Sequence, residues 1–151
     1  MKAIFLLIVS CGLVLNIAAQ TPEDSVKQTV NKLFTALKAG DSTMILASFA
    51  NSAILQTIVT TKEAKVLIRN EALTEFAHFV TMLPKGSADE RITFETVKID
   101  GDLAIVWTPY NFYLNGKFSH CGVNSFQLVR LGGSWKIQYL IDTRRKTGCN
   151  L

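Results

Sequence analysis

One histidine and two asparagines share a face of a predicted sheet with two large aromatic side chains. In chain order the set is Trp107, Asn111, His120, Asn124 and Tyr139. A histidine can act as a general acid or base near neutral pH, and an asparagine amide can orient a carbonyl or hydroxyl group. Apolar walls with few polar groups are typical of small-molecule pockets. We therefore predict a ligand-binding site with His120 as the candidate catalytic residue. Alternatively, His120 and Asn124 only satisfy each other in the core.

A second polar pair stands near the C-terminus. Asp142 and Arg144 are two residues apart on the last predicted strand, so they share one face. They form an ion pair with each other, or Arg144 grips an anionic group of a ligand through two hydrogen bonds. Both residues are therefore candidate ligand-binding residues. No metal-ligand cluster, phosphate loop or nucleophile motif is present in the sequence, so we expect no metal and no cofactor.

Two tight turns set the register of the strands that carry these residues. Asn115-Gly116 and Gly132-Gly133 supply the positive φ angles of two-residue hairpin turns. Uninterrupted pairing from the first turn places Asn111 opposite His120 and Trp107 opposite Asn124. The faces then alternate, and the face that holds Trp107 is predicted to lie against the helices.

The opposite face of the same strands is predicted to point outward. It holds Val106, Tyr110, Phe112 and Val123, together with Asp142 and Arg144. A monomer rarely exposes so large an apolar patch, so we expect a sheet-to-sheet homodimer. A single bulge would exchange the faces beyond it, and Pro109 and Gly122 are the positions where one is expected.

The elements that position these strands follow from periodicity and from capping residues. Helices segregated from antiparallel strands predict an α+β domain: a curved antiparallel sheet wrapped around three helices. In chain order we predict a helix from Pro22 to Gly40, a short helix Ser42–Phe49, a strand Ala53–Thr60, an edge strand Lys65–Arg69, a helix capped by Asn70 that runs to Leu83, a loop Pro84–Glu90, a strand Arg91–Ile99 and three long strands within Asp102–Thr143.

The first 19 residues have the layout of a secretory signal peptide. Lys2 precedes an apolar run from Ala3 to Ile17, and Ala18-Ala19 forms a small-residue cleavage zone. Residues 20–151 would then be a single domain of an exported protein, periplasmic or secreted. No later segment could span a membrane, so no membrane contact is expected after cleavage. The net charge of +4 is too small and too scattered to indicate nucleic-acid binding.

Two cysteines remain after the predicted cleavage. In an oxidising compartment an even pair favours a disulfide, so we predict a bond between Cys121 and Cys149. Gly148 frees the backbone, which would allow the tail to fold back along the sheet. The alternative is two free thiols, with Cys121 packed as a small apolar residue.

Five C-terminal segments, together with the order of elements, carry a family resemblance: Trp107-Thr108-Pro109-Tyr110, Ser119-His120-Cys121-Gly122, Phe126-Gln127-Leu128-Val129, Trp135-Lys136-Ile137 and Asp142-Thr143-Arg144. The chain resembles the nuclear transport factor 2-like superfamily. The resemblance covers Pro22 to Cys149 and is closest to the lumazine-binding-like and SnoaL-like branch of exported bacterial proteins. It implies a cone, in which a curved sheet wraps helices and leaves a pocket at the open end.

Three functions remain open from the sequence. The leading one is an exported domain that binds a small, partly apolar molecule in the cone. The second is an enzyme of the SnoaL-like, dehydratase or isomerase kind, with His120 as general acid or base. The third is a dimeric interaction module whose pocket is vestigial.

Overall fold

The structure is a computed structural model that describes residues 21–61 and 63–150. The predicted signal peptide, residues 1–19, lies outside the described residues. The described chain forms three helices and a seven-stranded curved sheet, which confirms the predicted α+β cone. None of its helices is long and apolar enough to cross a lipid bilayer. The elements are α1 (Pro22–Ala39), α2 (Ser42–Ser48), β1 (Phe49–Thr60), β2 (Val66–Glu71), α3 (Leu73–Thr81), β3 (Ala88–Ile92), β4 (Thr96–Asp100), β5 (Leu103–Leu114), β6 (Lys117–Leu131) and β7 (Ser134–Thr143).

The first two helices begin and end where their capping residues predict. The Thr21 hydroxyl accepts from the backbone N–H of Asp24, and the Asp24 carboxylate accepts from the backbone N–H of Thr21. This reciprocal arrangement is a capping box. Gly40 ends α1 in the left-handed region, at a φ of 69°. Asp41 then caps α2, so the chain turns from one helix into the next within two residues.

The seven strands form a single curved sheet. Its order is β2-β1-β7-β6-β5-β3, and β4 also pairs with β5. All neighbours are antiparallel except β1 and β7, which are parallel. The sheet does not close on itself, and the helices lie on its concave side. The core therefore forms between α1 and the concave faces of β6 and β7. Its most buried side chains, at most 2% exposed, include Val26, Val30, Leu33, Phe126, Leu128 and Ile137.

The predicted boundaries around the third helix need correction. Asn70, the predicted cap, instead lies in β2 and pairs with Gln56. Ala72 stands at the N-cap of α3 and makes no side-chain capping bond. The strand predicted over Arg91–Ile99 is two strands, which both pair with β5. The first of them begins at Ala88, within the predicted loop, and so places Glu90 in the sheet.

A bulge in β6 interrupts the predicted hairpin register. Pairing is regular next to the Asn115-Gly116 turn, as predicted. Ser119 is then an extra residue in β6, and His120 pairs with Phe112 rather than with Asn111. An extra residue moves everything beyond it to the opposite face relative to an unbroken ladder. The bulge therefore lies at Ser119, not at Pro109 or Gly122.

A second bulge, in β7, has the same effect on the last strand. Gln138 is the extra residue, so Phe126 pairs with Leu140 rather than with Tyr139. Side chains before the bulge keep their predicted face, whereas Tyr139 turns outward and Asp142 turns inward. A tight turn predicts the register only as far as the first bulge.

The bulge in β6 reverses the predicted faces of β5. Val106 and Tyr110, predicted to point outward, are 2% and 4% exposed and face the helices. Phe112 also packs against the core rather than outward. Trp107, predicted to face the helices, lies on the outer face and is 44% exposed.

Candidate functional site

A cavity of about 620 Å³ lies between the concave face of the sheet and helices α1 and α3. Many of its walls are aliphatic and aromatic, and its polar groups come mainly from all three parts of the sheet: from β1 and β2, from β3 and β5, and from β6, β7 and the residue after β7. This combination matches the usual composition of a small-molecule site. The apolar walls include Leu33, Phe34, Leu55, Phe76, Phe112 and Leu140.

Glu90 is the carboxylate placed in this cavity by the early start of β3. Strand alternation puts it on the same face as Ala88 and Ile92, opposite Phe112 of β5. The amide nitrogen of Asn124 donates to its Oε1 atom over 2.7 Å. Burial raises the pKa of Glu90 to about 7, and the nearby Asp142 carboxylate adds to the rise. Glu90 therefore exchanges a proton near neutral pH.

Asp142 joins three neighbouring side chains in a hydrogen-bonded group. Its Oδ2 atom lies 2.9 Å from Nε of Arg144, so the predicted ion pair is present. The Tyr110 hydroxyl lies 3.2 Å from the same oxygen and 2.9 Å from the carbonyl oxygen of Thr143. Arg144 also donates through Nη2 to the Thr57 hydroxyl over 3.3 Å. Burial and the nearby carboxylates raise the pKa of Tyr110, so its hydroxyl stays protonated.

His120 lines the cavity next to this group. Its Nδ1 atom lies 3.1 Å from the Ser119 hydroxyl. Its ring contacts those of Phe112 and Tyr110, with centroids 4.9 and 5.8 Å away. Burial, and then the positive charge of Arg144, lower the pKa of His120 below its ordinary value. The imidazole is therefore neutral at pH 7 and can accept a proton or a hydrogen bond.

The structure brings together four of the seven predicted ligand-binding residues. His120, Asn124, Asp142 and Arg144 all line the cavity. Asp142 and Arg144 were expected on the outer face, and the bulge at Gln138 explains their inward position.

The other three predicted residues lie away from the cavity, on the outer face of the sheet. Asn111 donates from its amide nitrogen to the carbonyl oxygen of Asn150 over 2.6 Å. The Tyr139 hydroxyl donates to Oε1 of Gln56, also over 2.6 Å. Trp107 pairs with Ser125 across β5 and β6. Their predicted placement in the pocket is therefore wrong, because each of the two bulges adds one residue to a strand.

Sequence reasoning missed Glu90, Tyr110 and Thr57. Glu90 falls in the segment predicted as a loop, and the unbroken register turns Tyr110 outward. One signal for Glu90 was available: it alternates with the apolar residues Ala88 and Ile92, which is a strand pattern.

A disulfide closes the chain next to the site. The sulfur atoms of Cys121 and Cys149 are 2.10 Å apart, and the two Cα atoms are 5.8 Å apart, which agrees with the predicted bond. The backbones of Cys121 and Arg145 exchange two hydrogen bonds of 2.9 Å. The C-terminal segment is thus attached to β6 one residue after His120.

Residues 21–61 and 63–150 hold no group of three or more His, Cys, Asp or Glu side chains arranged to bind a metal ion. Within this part of the chain, the chemistry of the cavity rests on Glu90, His120 and the group around Asp142. These side chains can exchange protons and hydrogen bonds with a ligand.

No protein-family model matches the chain, and no curated protein matches it. Solved structures do resemble it. An NTF2-like protein of unknown function from Shewanella oneidensis MR-1 has a TM-score of 0.64 and 15% identity, over 82% of this chain and 99% of its own. A protein of unknown function with a cystatin-like fold from Nostoc punctiforme PCC 73102 has a TM-score of 0.66 and 13% identity, over 86% and 97%. Another NTF2-like protein of unknown function, from Shewanella baltica OS155, has a TM-score of 0.62 and 14% identity, over 82% and 93%.

These identities are low, so the likeness concerns the fold and not the activity. The sheet order and the position of the helices on the concave side of the sheet support the same fold. The chain has the nuclear transport factor 2-like fold, which is also described as cystatin-like.

Proposed function

We propose that this domain binds a small, partly apolar molecule in the cavity between the sheet and the helices. The observation that carries the proposal is the cavity itself, with a volume of about 620 Å³. Pockets for small molecules commonly measure about 300–1,000 Å³. The apolar walls would hold the body of the ligand, and Glu90, Asn124 and His120 would orient its polar end. The volume of the cavity weighs against a vestigial, filled pocket.

Export is part of the same proposal. The Cys121–Cys149 disulfide supports it, because such bonds persist mainly in oxidising compartments. The signal-like pattern of residues 1–19 supports it independently. Placement in the lumazine-binding-like and SnoaL-like branch remains a proposal from the sequence resemblance alone.

The test is native mass spectrometry of protein purified from an oxidising compartment, which reports any copurifying molecule. The cavity variant is Leu140→Trp, which adds volume at the cavity wall. The matched control is Leu131→Trp, at an exposed residue beside the second turn. We expect a bound small molecule in the native protein and in the control, and its loss in the cavity variant. Equal retention in both variants would place the ligand elsewhere and contradict the proposal.

An enzyme of the SnoaL-like or dehydratase kind is a second candidate, and Glu90 favours it. A carboxyl group with a pKa of about 7 is well matched to proton transfer near neutral pH. His120, the predicted base, lines the same cavity and is neutral at pH 7, so either residue can accept a proton. Conversion of the copurified molecule by the native protein, abolished by Glu90→Gln or His120→Gln, would support this candidate. A bound molecule that is never converted would support the binding function and contradict the enzyme candidate.

We also propose a homodimer that packs through the outer face of the sheet. The residues differ from those first predicted, because Val106, Tyr110 and Phe112 face inward. Six neighbouring strands, about 4.8 Å apart and about 10 residues long, give a face of roughly 800 Å². A stable interface buries about that area on each partner. The exposed apolar side chains on or beside this face include Ile54, Val66, Ile68, Leu103, Ile105 and Trp107.

The outer face around Trp107 carries uncharged side chains on β5, β6 and β7, and the exposed Lys98 of β4 pairs with Ile105 beside it. Trp107 and Ile105 pair with Ser125 and Gln127 of β6. Ser125 in turn pairs with Ile141 of β7. Two copies related by a two-fold axis could therefore meet through these uncharged side chains, with Lys98 at the edge of the contact. A third candidate function, a dimeric interaction module, would use this face alone.

A further inference from the structure

The cavity has the opposite charge balance to the whole chain. Its lining includes four carboxylates and two guanidinium groups, whereas the chain has a formal net charge of +4. A ligand inside the cavity therefore meets more negative than positive groups. The carboxylates are Glu71, Glu75, Glu90 and Asp142, and the guanidinium groups are those of Arg69 and Arg144.

The two positive groups have negative neighbours. Arg144 donates from Nε to Asp142 over 2.9 Å and from Nη2 to the Thr57 hydroxyl over 3.3 Å, so two of its three guanidinium nitrogens already have partners. Arg69 and Glu71 are two residues apart in β2 and lie on one face. Arg144 is therefore already engaged by protein groups, and Arg69 has a carboxylate beside it on the same face.

Glu90 is different, because no Lys, Arg or His among residues 21–61 and 63–150 lies within ion-pair distance of it. It accepts a single hydrogen bond, from the amide nitrogen of Asn124. Removing a carboxylate from water without a positive partner is costly. A ligand that brings a positive charge to Glu90 would supply that partner.

The other polar groups around Glu90 can also accept hydrogen bonds. Asn124 donates through its nitrogen, which leaves its carbonyl oxygen as an acceptor. His120, neutral at pH 7, offers a ring nitrogen. An ammonium group has three donors and no acceptor, so it complements such a set.

We propose that the cavity selects molecules with an apolar body and one protonated amine, whose ammonium group pairs with Glu90. This inference rests on the proposed binding function and specifies the class of ligand. The apolar body lies against Phe34, Phe76 and Leu55. The ammonium group donates to Glu90 and to the acceptors on Asn124 and His120.

The experiment compares three probes with one rigid apolar body: adamantylamine, adamantanol and adamantanecarboxylate. Affinities are measured by isothermal titration calorimetry on the full folded chain with its disulfide intact. We expect the amine to bind roughly tenfold more tightly than the alcohol, because charge-assisted hydrogen bonds are about twice as strong as neutral ones. The carboxylate should bind most weakly. Glu90→Gln should bring the amine to the affinity of the alcohol, and Glu95→Gln, at an exposed residue outside the cavity, should keep the preference.

The outcomes separate this inference from the proposed function. If the alcohol binds as tightly as the amine in the native protein, the inference is wrong and the binding function stands. If the carboxylate binds best, Arg144 grips the ligand and the inference is likewise overturned. If none of the three probes binds, the inference is overturned, and the native mass spectrometry with Leu140→Trp decides the proposed function separately. The comparison in the native protein decides the matter even if the Glu90→Gln variant does not fold.

Discussion

Glu90→Gln should change the pH dependence of stability. The substitution keeps the shape of the side chain and an oxygen that can accept from Asn124, and it removes only the titration. As the pH rises from mildly acidic to mildly alkaline, the native protein should lose stability. The Glu90→Gln variant should lose much less over the same pH range. The cause is the raised pKa of Glu90 in the folded state, about 7 against an ordinary value of 4.5.

The direction and the size of this stability change follow from the difference in proton binding between the folded and unfolded chains. Below pH 4.5, Glu90 is protonated in both the folded and the unfolded chain, and its contribution to stability is fully present. Between the two pKa values the folded chain binds more protons, so stability falls as pH rises and the contribution is lost above about 7. At about 1.4 kcal/mol for each pKa unit, the difference between the two pKa values corresponds to a loss of about 3 kcal/mol in the free energy of unfolding.

The assay is urea denaturation of both proteins at about pH 4 and pH 8.5, with the disulfide intact. The stability of Glu90→Gln relative to the native protein should rise by about 3 kcal/mol from the lower to the higher pH. The lowered pKa of His120 acts in the opposite direction, but it acts in both proteins and cancels in the difference. Glu95→Gln, with an exposed side chain, is the control and should show no rise. If the native protein and the Glu90→Gln variant respond identically to pH, Glu90 does not titrate near 7 in the fold and the account of its burial is wrong.

Three further predictions concern the scaffold. Gly122→Ala should destabilise the fold by roughly 1–3 kcal/mol or more, because its Cβ would lie 1.8 Å from the Thr143 carbonyl oxygen and 2.7 Å from the Tyr110 ring; an unchanged urea midpoint would contradict this close approach. Cys149→Ser should cost roughly 3–4 kcal/mol by the chain-entropy model for the 28-residue separation, again by urea denaturation. Two titratable thiols in the denatured, unreduced native domain would show instead that no bond forms. Trp107→Lys should convert the proposed homodimer into a monomer in light scattering at micromolar concentration, and a native protein that is already monomeric would refute the dimer.

Local signals in the sequence determined the first two helices, the turns and the class of fold. The capping box at Thr21, the glycine at position 40 and the spacing of Val26, Val30 and Leu33 act within a few residues. Such signals depend on backbone sterics and on nearby hydrogen bonds, so they can be interpreted without tertiary contacts. The same holds for the Asn115-Gly116 turn and for the pairing next to it.

The membership of the site was decided by tertiary structure. Whether Ser119 and Gln138 pair or bulge depends on how β6 and β7 curve around the helices, and no residue type at those positions signals it. Side chains alternate with a period of two, so one extra residue in each strand changes which side chains face the cavity. Tyr110 and Asp142 face it, whereas Trp107 and Tyr139 lie on the outer face.

Glu90 shows the same division between sequence and structure. Its alternation with Ala88 and Ile92 is local and present in the sequence. Its pKa near 7 is not local, because it arises when β3 joins the edge of β5 and carries the carboxylate out of water, next to Asn124 and Asp142. The residue types needed for proton exchange were therefore present in the sequence. Their proximity and their protonation depend on contacts between residues more than 30 positions apart in the chain.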